Sequence, residues 1–128
     1  MIFNNQGKWV HAAALLPACT HVHLNILPEA AITLGVVPIA EYATQGTPAM
    51  AASIHKPILQ SNAVLLSHHG SLTVGRTLEE ALIALERMEH TAYTYFIAKS
   101  FGKVIPIPAN EMEHLHEIRK RFRGETDL

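Results

Sequence analysis

Residues 62–75, NAVLLSHHGSLTVG, decide the fold. Their first part, Ala63–Leu66, is an unbroken apolar run, which is typical of a strand buried on both faces. Two histidines follow, and Gly70 then permits a backbone conformation that a residue with a Cβ resists. Residues 71–74 alternate polar and apolar side chains, as a second strand does. The stretch predicts a strand, a bend that carries imidazoles, and another strand.

A histidine at the end of a rigid strand can aim a ring nitrogen into a cleft, as metal binding and proton transfer require. His69 is accordingly a candidate metal ligand, with a hydrogen-bonded structural histidine as the alternative. His68 is the weaker candidate, since neighbouring side chains of an extended chain point to opposite faces. Its role stays open.

Composition and charge bound the classes of function. The chain has 128 residues, which corresponds to one domain, and its formal net charge of −1 removes the electrostatic case for a nucleic-acid partner. Cys19 is the single cysteine, so no internal disulfide forms, as expected in a reducing cytosol. No apolar run approaches the ~20 residues of a membrane span. We therefore expect a cytoplasmic protein that binds neither nucleic acid nor membrane.

Turn and capping signals divide the rest of the chain. Residues 1–8 are expected to be a poorly anchored lead-in, and Pro38 confines the strand at residues 36–40 to a sheet edge or a bulge. The basic cluster at residues 119–123 is predicted to be the solvated end of the last helix. Helices are predicted at residues 11–16, at 28–31 before Gly35, at 49–55 after a Thr47 cap and before Pro57, at 78–100 after a Thr77 cap, and from an Asn110 cap onward.

A second group of histidines lies upstream. If the segment His21-Val22-His23 is extended, its two imidazoles lie on one side, about 6.5 to 7 Å apart at the backbone. That distance permits a shared metal, and a structural role for the pair is the alternative.

Three linked motifs carry a resemblance to a known family. They are LPEAAITLGVVPIAEYATQGTP at residues 27–48, AVLLSHHGSLTVG at 63–75 and TLEEALIALERMEH at 77–90. In this order and spacing they resemble the C-terminal half of the class II aldolase/adducin family, from about Val10 to Gly102. The resemblance implies an α/β fold, an α/β/α layered domain with an antiparallel-rich central sheet. Residues 1–128 would be a single partial domain, truncated at the N-terminus, in a homo-oligomer.

The resemblance also implies a chemistry. Enzymes of the family use a divalent metal, usually zinc, to cleave or epimerise sugar phosphates, because the cation stabilises the charge that develops on the substrate oxygens. His69 matches the third histidine ligand of the family. The family's upstream His-x-His element falls on residues 6–8, where this chain has Gln6 and Lys8, so His21 and His23 are the substitute candidates. A protonated lysine cannot bind a metal.

Two functional hypotheses therefore stand side by side. The first is a zinc-dependent lyase or epimerase that acts on a sugar phosphate, with His69 as one metal ligand and no assigned acid or base. The other ligands are either His21 and His23 or residues of a neighbouring subunit. The second is a non-catalytic, truncated or adducin-like relative that keeps the fold and the surface for oligomerisation. Fold alone does not decide between them.

Overall fold

The computed structural model describes residues 2–4 and 25–126. The helix expected at residues 11–16 and most of the upstream histidine segment lie outside this part of the chain. The described elements, in chain order, are β1 Ile2–Asn4, α1 Pro28–Thr33, β2 Ile39–Ala40, α2 Pro48–Gln60, β3 Ala63–Leu66, β4 Gly70–Thr73, α3 Leu78–Phe101 and α4 Ala109–Thr126.

The four described strands form one sheet in the order β1-β4-β3-β2. The hairpin predicted around the two histidines is present, since β3 and β4 pair antiparallel with Leu66 opposite Gly70. β1 pairs antiparallel with β4, so the expectation of an unanchored start was wrong for residues 2–4. β2 pairs with β3 in parallel, with Ala40 opposite Leu66. β2 is the edge strand on that side, as Pro38 predicted.

Helices cover both faces of the sheet because alternate residues of β3 point in opposite directions. Ala63 and Leu65 belong to a buried cluster with Leu85 and Met88 of α3. Val64 and Leu66 belong to a second cluster, against which Met50, Ile54 and Ile58 of α2 pack. The chain is thus an α/β protein with helices on each side of the sheet.

Thr77 caps α3 as the sequence predicts, and Glu80 makes further hydrogen bonds to Arg76. The Thr77 hydroxyl accepts a hydrogen bond from the Glu80 amide at 3.1 Å, as expected of an N-cap. The Glu80 carboxylate accepts from the amide of Arg76 and binds its guanidinium at 2.7 Å. These hydrogen bonds to Arg76 hold the pKa of Glu80 below its usual value.

α2 corrects two expectations. It continues through Pro57 to Gln60, whereas we expected Pro57 to end it. The proline costs one backbone hydrogen bond, but Ile54 and Ile58 on either side of it pack against the sheet and hold the last turn in place. Thr47 stands at the N-cap but makes no side-chain cap hydrogen bond, and its hydroxyl donates to the Thr44 carbonyl at 2.7 Å.

α4 differs from two further expectations. It begins at Ala109, so Asn110 lies within its first turn and is not the cap. Arg119 is half-buried, not solvated, and donates to the Ile32 carbonyl at 2.8 Å and to Asn62 Oδ1 at 3.3 Å. Burial, with a smaller contribution from the positive charge of Arg123, lowers the pKa of Arg119 to about 10. This arginine ties α4 to the end of α1.

No helix in the described ranges is both long enough and apolar enough to cross a membrane.

Candidate functional site at the end of β3

The bend between β3 and β4 is a tight turn built around His68. The His69 amide donates to the Leu66 carbonyl at 2.9 Å and closes the turn. His68 has a φ of 63°, in the left-handed region that few residues other than glycine occupy. This conformation reverses the chain within the turn. The argument that neighbouring histidines point to opposite faces therefore does not apply here, because it assumed an extended chain.

Both histidine rings contact Tyr42. The rings of Tyr42 and His69 are stacked, with centroids 5.6 Å apart and planes inclined by 11°. The His68 ring meets Tyr42 edge-on, at 5.8 Å and 86°. Such offset-stacked and edge-on pairs are the favoured aromatic geometries. The three rings form one cluster at the surface, in which Tyr42 remains 60% exposed.

The parallel pairing of β2 with β3 explains why these residues meet. Parallel strands place their carboxyl ends at the same edge of the sheet. Tyr42 follows β2 by two residues, and His68 follows β3 by two residues. The residue after β3 is also joined directly to the last residue of β2, since the Ser67 amide donates to the Ala40 carbonyl at 3.3 Å.

The ring of His69 is held by a backbone oxygen. Its Nε2 lies 2.8 Å from the carbonyl oxygen of Ala43, and the side chain is half-buried. A carbonyl oxygen only accepts hydrogen bonds, so Nε2 carries the proton in this contact. In a neutral imidazole this leaves the lone pair on Nδ1.

The described residues supply one imidazole suited to a metal and no complete ligand set. Among residues 2–4 and 25–126, no group of three His, Cys, Asp or Glu side chains converges as a metal site requires. The candidate ligands His21 and His23, like Gln6 and Lys8, lie outside the described residues. The approach of His21 and His23 to His69 stays a prediction.

The other histidines of residues 25–126 do not join this site. His55, His90 and His114 are exposed on helices. His116 is half-buried and lines an open cleft of about 470 Å³ together with Asn25, residues 106–109 and Met112. None of the residues of the ring cluster lines this cleft.

Sequence reasoning missed the part played by Tyr42 and Ala43. They lie between the predicted strand at residues 36–40 and the Thr47 cap, and this position gave no sign of a contact with His69. The signal that would have found them is the parallel register of β2 and β3, which periodicity does not reveal.

Comparison with known proteins identifies the family of this chain. The model of the family described as class II aldolase and adducin N-terminal domain matches residues 8–96, which include the whole ring cluster. The chain belongs to this family. The resemblance drawn from the three motifs is thereby confirmed.

Sequence relatives of this chain include two proteins that are named as aldolases. The chain is 36% identical over 75 residues to L-fuculose phosphate aldolase of Haemophilus influenzae, an alignment that covers 59% of this chain and 35% of that protein. It is 33% identical over 88 residues to 5-deoxy-D-ribulose 1-phosphate aldolase of Bacillus thuringiensis, with 69% and 40% covered.

Two solved structures share the fold of this chain. The structure of an L-fuculose 1-phosphate aldolase superposes with a TM-score of 0.69 at 31% identity and covers 91% of this chain and 52% of that one. YgbL of Escherichia coli superposes with a TM-score of 0.76 at 27% identity, with 84% and 53% covered. The chain thus spans about a third to a half of the length of the proteins it matches.

Proposed function

We propose that this protein takes part in the metal-dependent aldol cleavage or epimerisation of a sugar phosphate, with His69 as one of the metal ligands. The observation that carries the proposal is the His69 ring, fixed at the end of β3 by Tyr42 and Ala43, inside the segment that matches the class II aldolase family. The names of the two aldolase relatives, each of which contains a sugar phosphate, support the substrate class.

The contribution of His69 is to hold a cation at a defined place. An imidazole is neutral when it binds a metal, so it leaves the charge of the cation largely uncompensated. A divalent cation held in this way supplies Lewis acidity for the carbonyl and hydroxyl oxygens of a sugar phosphate. Zinc fits an imidazole site, since it binds nitrogen ligands at about 2.0 to 2.1 Å.

The other ligands are proposed to be His21 and His23, or residues of a neighbouring subunit. His21 and His23 have the spacing of a shared site if their segment is extended. The alternative function is a non-catalytic relative that retains the fold. It is supported by Gln6 and Lys8, which stand where the family's His-x-His element falls.

Metal content separates the two functions. The full chain, purified without a histidine tag and incubated with zinc, is analysed for bound metal beside the variants His69→Ala and His90→Ala. His90 is the matched control, because it is an exposed histidine on α3, away from the ring cluster. We expect stoichiometric zinc in the wild type and in His90→Ala, and at least a tenfold loss of affinity in His69→Ala.

Activity completes the test. Cleavage of L-fuculose 1-phosphate and 5-deoxyribulose 1-phosphate, measured by aldehyde release, should depend on zinc and on His69. Zinc bound equally by all three proteins, or none bound by the wild type, would contradict the proposal and favour the non-catalytic relative.

We further propose that residues 1–128 act as a single partial domain within a cytoplasmic homo-oligomer. The single cysteine, Cys19, supports the compartment. Assembly is supported by large apolar side chains at the end of α3 and beyond it, where Phe101 is 88% and Ile105 is 86% exposed. Sedimentation velocity at micromolar concentration should show a species larger than a monomer, and a monomer would contradict the assembly.

A further inference from the structure

We infer that residues 93–101, the aromatic end of α3, form the surface through which two copies of this chain meet, with their two α3 helices antiparallel about a two-fold axis. This pairing rests on the homo-oligomer proposed above and gives that assembly a surface and an orientation. It requires no metal and no substrate.

The second half of α3 receives little packing from the rest of the described molecule. The buried residues of the helix all lie in its first part: Ala81, Ala84, Leu85, Met88 and Thr91. Every residue from 92 to 101 is half-buried or exposed. At about 1.5 Å per residue, this part of the helix is about 15 Å long. The core that stabilises the start of α3 therefore does not extend to its end.

The aromatic end of α3 carries half of the aromatic residues of the chain, which has one Trp, three Tyr and four Phe. Tyr93, Tyr95, Phe96 and Phe101 are 42%, 41%, 55% and 88% exposed. Their spacing directs them to different sides of the helix, and a helix that is apolar on all sides is normally a buried helix. Aromatic residues are also enriched at the centres of protein interfaces. We therefore expect another protein surface to cover this end.

Charges at the two boundaries of the aromatic end favour a second copy as the covering partner. Glu86 and Glu89 precede residues 93–101, whereas Lys99 lies near their end and Lys103 follows them. In an antiparallel pair, the acidic boundary of one helix lies opposite the basic boundary of the other, and two-fold symmetry makes this contact twice. A parallel pair would bring like charges together, which is unfavourable.

One register satisfies the rings and the charges together. When Tyr93 lies opposite Phe96 of the other copy, Glu86 lies opposite Lys103, and Glu89 lies opposite the residue next to Lys99. Within residues 93–101 the only charge is that of Lys99. The centre of the contact is therefore apolar and its two ends are charged, as in stable interfaces.

Replacement of the aromatic side chains tests the surface. Sedimentation velocity of the full chain gives the dissociation constant of the assembly for the wild type, Phe96→Ser and Phe101→Ser. Leu59→Ser is the matched control, because Leu59 is 74% exposed on α2, the helix that packs on the other face of the sheet. Both phenylalanine variants should dissociate at least about tenfold more readily, whereas Leu59→Ser should match the wild type. Far-ultraviolet circular dichroism checks that each variant is folded.

Reversal of the charges tests the antiparallel orientation. Lys99→Glu with Lys103→Glu gives a chain that is acidic at both boundaries, and Glu86→Lys with Glu89→Lys gives one that is basic at both. Each double variant alone should assemble about tenfold more weakly than the wild type, because like charges then meet. An equimolar mixture of the two should assemble as strongly as the wild type at low salt, and high salt should reduce the differences.

Wild-type assembly in Phe96→Ser and Phe101→Ser would overturn the surface. A mixture of the charge variants that assembles no better than its components would overturn the antiparallel pairing. In both cases the homo-oligomer itself stands and uses another surface, whereas a monomeric wild type refutes the homo-oligomer as well. A monomer that binds phosphatidylcholine vesicles through Phe96 and Phe101 would assign the aromatic end to a membrane instead.

Discussion

Gly35 and Gly46 both have a positive φ, of 64° and 80°, but their surroundings differ. A Cβ built at Gly35 would lie 2.6 Å from Nε of Arg119, whereas a Cβ at Gly46 meets nothing within 4 Å. Alanine at Gly46 therefore has only the cost of a left-handed backbone, about 1 to 2 kcal/mol. Alanine at Gly35 has the same cost and also displaces the guanidinium, which adds about 1 kcal/mol or more through lost hydrogen bonds.

Urea unfolding followed by far-ultraviolet circular dichroism checks this pair. Gly35→Ala should lower the free energy of unfolding more than Gly46→Ala does. In the combined variant Gly35→Ala with Arg119→Ala, the added cost of the first substitution should shrink toward that of Gly46→Ala. Equal costs for the two single variants would show that Arg119 moves aside freely.

Residue roles were only partly predictable from the sequence. The placement of His69 at a strand end follows from local pattern and is observed. Arg119 was assigned to solvent because it stands in a basic cluster at a helix end. Its burial depends on an acceptor 87 residues away, the Ile32 carbonyl, and no local pattern reports such a contact.

Helix capping can be tested at the level of the element, because the chain has two threonine N-caps that behave differently. Thr77 accepts a hydrogen bond from the Glu80 amide, whereas the Thr47 hydroxyl donates to a preceding carbonyl and leaves the first amides of α2 uncapped by a side chain. We expect Thr77→Ala to lower the free energy of unfolding by about 1 kcal/mol.

Thr47→Ala is the matched control and should cost less, since no N-cap bond is lost. Both values come from urea unfolding at the same protein concentration. A larger effect at Thr47 than at Thr77 would mean that the turn between Thr44 and Thr47 matters more than capping.

Elements with a strong local signal were correctly predicted, and those that depend on packing were not. The apolar run of β3 and the Thr77-x-x-Glu80 pattern of α3 gave both elements within a residue or two of their bounds. The prediction that Pro57 ends α2 was wrong. A proline ring normally ends a helix, but here the isoleucines beside it pack against the sheet, and this contact continues α2. Tertiary contacts overrode the local preference there.

For the whole molecule, the packing of α4 on α1 depends on Arg119. Its guanidinium donates to the Ile32 carbonyl and to Asn62 Oδ1, so it joins the last helix both to α1 and to the residue before β3. Replacement by alanine should cost about 1 to 3 kcal/mol, the range for hydrogen bonds from a charged donor.

Arg121→Ala, two residues further along α4 at an exposed position, is the control and should stay within about 0.5 kcal/mol of the wild type. Hydrogen exchange gives a second measurement, since Arg119→Ala should reduce the protection of the amides of α1 and α4 before those of β3. Equal loss across the molecule would indicate that α4 unfolds only together with the sheet.

The meeting of Tyr42 with the two histidines is a property of the whole topology. The sequence places one motif before α2 and the other after it, and nothing local says that they share an edge. Only the parallel register of Ala40 with Leu66 brings them together. The candidate site could therefore be predicted as a single residue, His69, while its supports could not.

The turn between β3 and β4 carries a constraint on length as well as on composition. Removing one residue between Leu66 and Gly70 would slip β4 by one position, which sends Leu72 to the face where Thr73 now donates to the Ala81 carbonyl at 2.8 Å. The same deletion would pull His69 away from Ala43. A change of length at this turn therefore disturbs both the packing of the hydrophobic core and the contacts of the ring cluster.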